Sequence, residues 1–225
     1  MKLARLLDVE VGELGYLEGI DPVQLRRLRE LATEALFDSG GAALGRLALG
    51  SRLLPTGVIA SIAQHAFGPV LAARIAGLLD PGRAADVAAK LPTEFLAQIA
   101  IHLDPRRAAD VLARIPAQRI ADVARELVAL DEHVTLGRFV GHLSDEAVAL
   151  SVREMDDFTV VSVGFVLEDL SAITRVLELI DQGRLDGLVE AATGTELWPE
   201  VLDLYDNLPA PLRARVLGTR TAEPA

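Results

Sequence analysis

Four prolines divide the middle of this chain at nearly equal intervals. Pro81, Pro92, Pro105 and Pro116 follow one another after 11, 13 and 11 residues. They belong to a duplicated segment. Leu79-Asp80-Pro81-Gly82-Arg83-Ala84-Ala85-Asp86-Val87 returns 24 residues later as Leu103-Asp104-Pro105-Arg106-Arg107-Ala108-Ala109-Asp110-Val111, and Lys90-Leu91-Pro92 returns as Arg114-Ile115-Pro116. Proline has no N–H to donate, so it is tolerated at the first helical position, where that group would have no partner. It also pushes the preceding residue out of helical geometry. Each proline therefore ends one helix and opens the next, and the spacing predicts rods of about nine or ten residues joined by tight turns. Asp80 and Asp104 stand where an N-cap carboxylate would accept first-turn amides.

Helices this short are marginal alone and draw their stability from neighbours. The apolar residues agree with that. Ala84, Ala85, Val87 and Ala88 follow Pro81; Phe95, Leu96, Ile99 and Ala100 follow Pro92. Ala108, Val111 and Leu112 follow Pro105, and Ile120, Val123 and Ala124 follow Pro116. Intervals of three and four residues mark one face of a helix. A repeated seam on short helices predicts an all-α, armadillo-like α-solenoid, in which each unit buries its face by stacking. The expected organisation is one superhelical domain over 1–225, with an N-terminal extension at 1–20, a repeat core at 78–127 and a loose tail at 218–225.

Outside the repeat, Asp21-Pro22 opens an amphipathic helix through Leu25, Leu28, Leu31, Ala32, Ala35 and Leu36, with a stop at Asp38-Ser39-Gly40-Gly41. Residues 42–54 and 55–79 read as further apolar helices. Ser144, Asp157-Phe158 and Thr195-Glu196 read as helix starts, and Leu208-Pro209 repeats the leucine–proline opening. The β-branched run Phe158–Leu167 is expected to be a buried helix, because an isolated strand would leave its edges unpaired. Trp198 is expected in the core.

Composition narrows the function classes. Hydrophobic residues make up 51% of the chain, too many for a disordered one, and the abundance of Ala and Leu disfavours a β-sandwich. There is no cysteine, which excludes disulfides, thiolate zinc sites and cysteine nucleophiles. Charges interrupt the first ten residues, so the N-terminus does not read as a signal peptide, and a cytoplasmic protein is expected. The stretch Leu53–Ala73 carries no Lys, Arg, Asp or Glu over 21 residues. Because it contains Gly68-Pro69, it reads as two short buried helices broken there rather than as a membrane span; peripheral membrane contact stays open.

The net charge of −11 is segregated: residues 1–130 hold 15 acidic and 15 basic residues, and residues 131–225 hold 18 acidic and 7 basic. An acidic surface repels phosphate backbones and attracts cations or a basic partner, so nucleic acid is not expected. Of the 22 basic residues 20 are Arg, a bias attributed at this level to genomic base composition.

The pattern Leu-Asp-Pro-x-x-Ala-Ala-x-Val-x-x-x-Leu/Ile-Pro over residues 78–127, with a weaker continuation through His142-Leu143-Ser144-Asp145-Glu146, resembles the N-terminal cytosolic domain of MgtE-type magnesium transporters. It is also similar to the middle domain of the flagellar motor switch protein FliG. The resemblance implies a right-handed superhelix. In the transporter family it implies a part in sensing cytosolic magnesium through acidic residues; in the flagellar family, binding to other proteins. The chain departs from both. These 225 residues are not expected to hold the transporter's regulatory domains or membrane bundle, and they show Ala66-Phe67-Gly68-Pro69 where FliG carries Glu-His-Pro-Gln.

No phosphate loop, dinucleotide fingerprint or nucleophile elbow occurs, so a non-enzymatic protein is expected, with no cofactor beyond Mg2+. His102 and His142 are expected at helix C-termini, where the imidazolium form is favoured. A metal group of Asp131, Glu132, His133, His142 and Asp145 matches no established ligand spacing. The candidate contact residues are Asp145, Glu146, Asp156, Asp157, Glu168 and Asp169, the last four also being the acidic surface on which Mg2+ would bind. The leading reading is a cytosolic helical scaffold or regulatory module that binds a protein partner, itself basic or membrane-associated. The competing one is a peripheral membrane or apolar-ligand-binding protein, motivated by residues 53–73. Oligomeric state is not indicated.

Overall fold

A computed structural model describes residues 11–17, 19–21, 23–28, 31, 45, 48, 50, 53–167, 170–193 and 204–218. Among them every regular element is helical and no strand occurs. The chain divides into two compact units, Met1–Leu54 and Pro55–Ala225.

In the first unit a 3-10 helix runs Val11–Leu17. Residues 23–28 are helical, and the Val23 N–H donates to Asp21 Oδ1 at 2.7 Å, the start expected at Asp21-Pro22. The expected stop at Asp38–Gly41 lies outside the described residues, as do Thr195-Glu196, Trp198 and the tail from residue 219.

Among the described residues, the second unit includes the helices α1 Thr56–Ile62, α2 Gly68–Ala76, α3 Pro81–Ala88, α4 Thr93–His102, α5 Ala109–Leu112, α6 Ala117–Ala129, α7 His133–Val140, α8 Asp145–Arg153, α9 Asp157–Val166, α10 Leu170–Leu179, α11 Gln182–Thr193 and α12 Ala210–Gly218. A helix mostly packs on the next but one: α1 on α3, α2 on α4, α3 on α5, α4 on α6, α6 on α8, α7 on α9, α8 on α10, α9 on α11. α12 closes the series against α10 and α11. Such packing lets each short helix bury one face on its predecessor and one on its successor.

Capping follows the sequence closely. Asp80 accepts from Arg83 N–H at 3.1 Å, with Pro81 at the first helical position. Ser144 accepts from Ala147 N–H at 3.2 Å, Asp156 from Thr159 N–H at 2.7 Å, and Asp181 from Arg184 N–H at 2.9 Å. The run after Asp157 is helical, as α9, with Thr159, Val160 and Val163 buried and Phe158 exposed.

The second copy of the repeat departs from the first. After Pro105 the chain turns through 105–108 before the four-residue α5, where a full helix was expected. Where the first copy has Gly82 the second has Arg106, whose Nε reaches back to Asp104 Oδ1 at 3.2 Å. The same oxygen accepts from the Arg106 N–H at 3.1 Å. Asp104 thereby closes a turn to the second residue along, whereas Asp80 caps the third.

Residues 53–73 break at the expected place: five residues of π-helix, Ala63–Phe67, precede Gly68, which has φ +70 and opens α2. That left-handed backbone suits glycine. The expected burial is only partial. Ile59, Ala60, Ala63, Ala72 and Ala73 are buried, but Val58 and Val70 stay exposed. By length and composition Thr56–Ala76 could cross a membrane.

Two apolar clusters form the core of this unit, one running from Ile59 to Ile99 and one from Ala97 to Leu188. Most of the residues expected inside are there. In α6 the buried face falls on Ala121, Ala124 and Leu127, and Ile120 and Val123 are half-buried.

Candidate functional site

Arginines join the helices. Arg138 of α7 donates from Nη1 to Ile101 O at 3.3 Å and from Nη2 to Leu103 O at 2.7 Å, at the end of α4. Arg175 of α10 donates likewise to Val140 O at 3.1 Å and Leu143 O at 2.7 Å. Arg215 of α12 repeats the pattern on Leu177 O at 3.1 Å and Ile180 O at 2.6 Å. The last carbonyls of a helix have no intrahelical partner and carry the negative end of its dipole. One guanidinium meets one carbonyl of the last turn and one just past the helix end, and cross-links two helices in doing so.

A second pair of arginines does the same at helix starts. Arg119, third residue of α6, donates to Leu91 O, and from Nη1 to Thr93 Oγ1 at 2.7 Å. Arg184, third residue of α11, donates to Met155 O and lies 3.1 Å from Asp157 Oδ1, an ionic contact without hydrogen-bond alignment. All five arginines are half-buried. The arginine bias therefore has a structural use that composition did not disclose. A signal was available: Arg119 and Arg184 each stand three residues past the residue that precedes their helix, Pro116 or Asp181.

The acidic candidates separate into different roles. Asp145 accepts from Arg175 Nε at 2.6 Å. Asp157 faces Arg184, while Glu146 is exposed. Asp156 caps α9, and the Thr159 N–H it accepts holds its carboxyl below the usual carboxylate range. Glu168 and Asp169 lie outside the described residues. Among the described residues no group of three or more His, Asp or Glu side chains could hold a metal ion.

His102 ends α4 as expected. His142 lies just beyond α7, but burial drives its imidazole toward the neutral form, against the charged form expected there. Asp104 pulls the other way and Arg106 adds to the depression. His133 instead opens α7, 3.4 Å from Asp131 Oδ1.

Within the second unit lies a concavity of about 200 Å3, partly open to solvent and walled by side chains from α1 through α10. Its lining is apolar apart from Ser151, whose hydroxyl donates to Ala147 O at 2.8 Å, and Arg119. Sequence periodicity marked the lining residues Val87, Leu96, Ile99, Val111, Ile120 and Val123 as core but gave no sign that they stop short of filling the space. No family model, curated protein or solved structure matches the chain.

Proposed function

We propose that the chain is a non-enzymatic helical scaffold, an α-solenoid of the MgtE N-terminal type, that holds a basic protein partner on the acidic face of residues 131–225. The observation that carries this reading is where the few cations of that region go. Of its seven basic residues, Arg138, Arg175, Arg184 and Arg215 turn half-buried onto backbone carbonyls of neighbouring helices. Glu146, Glu178, Asp186 and Glu190 stay exposed. With those cations engaged on carbonyls, the exposed charge of the region is mostly carboxylate, and such surfaces steer oppositely charged partners. The packing of each helix on the next but one, and the duplicated proline segment, support the solenoid part of the reading. A cytoplasmic location belongs to the same proposal.

The test is capture of a partner by the full chain, compared with a triple charge reversal of Glu146, Glu178 and Glu190 to Lys. These residues are exposed, so folding is retained while binding is lost, and added salt weakens the wild-type complex. Binding indifferent to both would end the proposal. Mg2+ is the competing occupant of the acidic face: a cation bound to the folded form raises the melting temperature, and an unchanged melt in millimolar Mg2+ removes it.

A further inference from the structure

We propose that the cavity of the second unit is a binding site for a linear carboxylate of the fatty-acid class, its hydrocarbon tail threaded between the helices and its head group received by Arg119. This goes beyond the scaffold reading and stands whether or not a protein partner exists.

The tail follows from the shape and lining of the cavity. Ligand sites are concave and predominantly apolar, and this one offers about 200 Å3, partly open to solvent, with a lining that is apolar apart from Ser151 and Arg119. Its walls come from ten successive helices, from Ile59 and Ile75 through Leu96 and Val123 to Phe139 and Val176. A round void of that volume would touch only a few neighbouring helices. Walls drawn from so long a series describe a groove extended along the helices, which suits an unbranched chain better than a ring.

The head group follows from Arg119. At the corresponding joint Arg184 meets a carboxylate, Asp157. Arg119 meets only neutral oxygens, the Thr93 hydroxyl and the Leu91 carbonyl, and among the described residues no carboxylate pairs with it. Its Nε is buried and without a partner. The Nε of Arg184 shares that condition, so the missing carboxylate is what distinguishes the two sites. A partly buried cation facing neutral groups gains most from an anion, and a guanidinium is shaped to receive a carboxylate. Arg119 lies on the cavity wall; Arg184 does not. The joint that lacks its anion is the one beside the apolar space.

Calorimetric titration of the full chain with dodecanoate, kept below its micellar concentration, and with dodecan-1-ol separates the two parts. The acid binds once per chain and at least about tenfold tighter than the alcohol, the gain of a charge-assisted contact. Arg119→Gln lowers the affinity for the acid to that for the alcohol, and Ala124→Leu, which intrudes on the cavity beside Arg119, weakens both at least about tenfold. Should either variant misfold by circular dichroism, the acid-to-alcohol ratio on the unaltered chain still decides. No saturable dodecanoate binding, an alcohol bound as tightly as the acid, or affinities untouched by a folded Ala124→Leu would each overturn the proposal. Flotation with phosphatidylcholine vesicles tests the source of the chain: a free acid leaves the protein in the dense fraction, and co-flotation overturns the choice of a free acid over a membrane lipid.

Discussion

The joints at Arg119 and Arg184 share one plan and differ in what faces the arginine. In both, the third residue of a helix reaches the carbonyl before the start of the helix two positions back, Leu91 in one and Met155 in the other. In both, it also meets the side chain of that helix's first residue, Thr93 or Asp157. The difference extends one turn further. Three residues beyond Arg184 stands Gly187, where a Cβ would come within 2.5 Å of Asp157 Oδ2; three residues beyond Arg119 stands Asp122. A carboxylate at the joint thus requires a bare backbone across from it. Without that space, the joint holds a hydroxyl, and among the described residues no carboxylate meets the arginine.

The largest expected effect comes from filling that space. Gly187→Val pushes Asp157 away from Arg184 and crowds α9 against α11, at a cost of about 3 kcal/mol in chemical denaturation. Indifference to it would mean the close approach is not what fixes the pair. Removing the cations comes next. Arg184→Ala leaves a carboxylate and a carbonyl without their partner and costs about 2 kcal/mol, discounted for the one-third exposure of Asp157. Arg119→Ala strands only neutral acceptors and costs about 1 kcal/mol. Equal losses in parallel melts would erase the distinction between the joints.

The caps differ as well. Asp156 caps α9, whereas Pro92 before α4 offers no side-chain acceptor. Asp156→Ala is expected to cost about 1 kcal/mol near neutral pH. Because the folded-state value of Asp156 lies below its unfolded one, the cap contributes fully above about pH 4 and is lost as pH falls through the folded value. The wild-type and Asp156→Ala stability curves should therefore converge in acid, and a constant gap down to low pH would assign the loss to another cause. The smallest effect belongs to the exchange Thr93→Asp with Asp122→Gly, which rebuilds the Arg184 arrangement at Arg119. The new ion pair and the helix-interior glycine offset each other to within about 1 kcal/mol. The same exchange should abolish the preference for dodecanoate over dodecan-1-ol, since the arginine then has its anion.

Much of the fold could be read from local chemistry. The caps at Asp80 and Ser144, the helix start at Asp157-Phe158 and the break at Gly68 depend on residues within a few positions of one another. The failure at Pro105 is instructive for the same reason. Both copies present an Asp-Pro pair, but the side chain of Arg106, absent from Gly82, captures the Asp104 carboxylate and turns the chain early. The site was far less legible. Asp145 and Asp157 read as surface acids because the arginines that meet them lie about 30 residues away in sequence, 30 for Arg175 and 27 for Arg184.

What the sequence determined by itself was the helical class of the chain, the openings of most of its rods and which face of each is apolar. Proline, cap and periodicity act within a single turn, and their physics needs no partner. Tertiary structure alone decided which arginine reaches which carbonyl, which carboxylates are neutralised and where the apolar faces fail to meet. Those outcomes depend on distances between helices separated by some 25 to 40 residues of chain, and no local preference encodes a gap left between two well-formed surfaces.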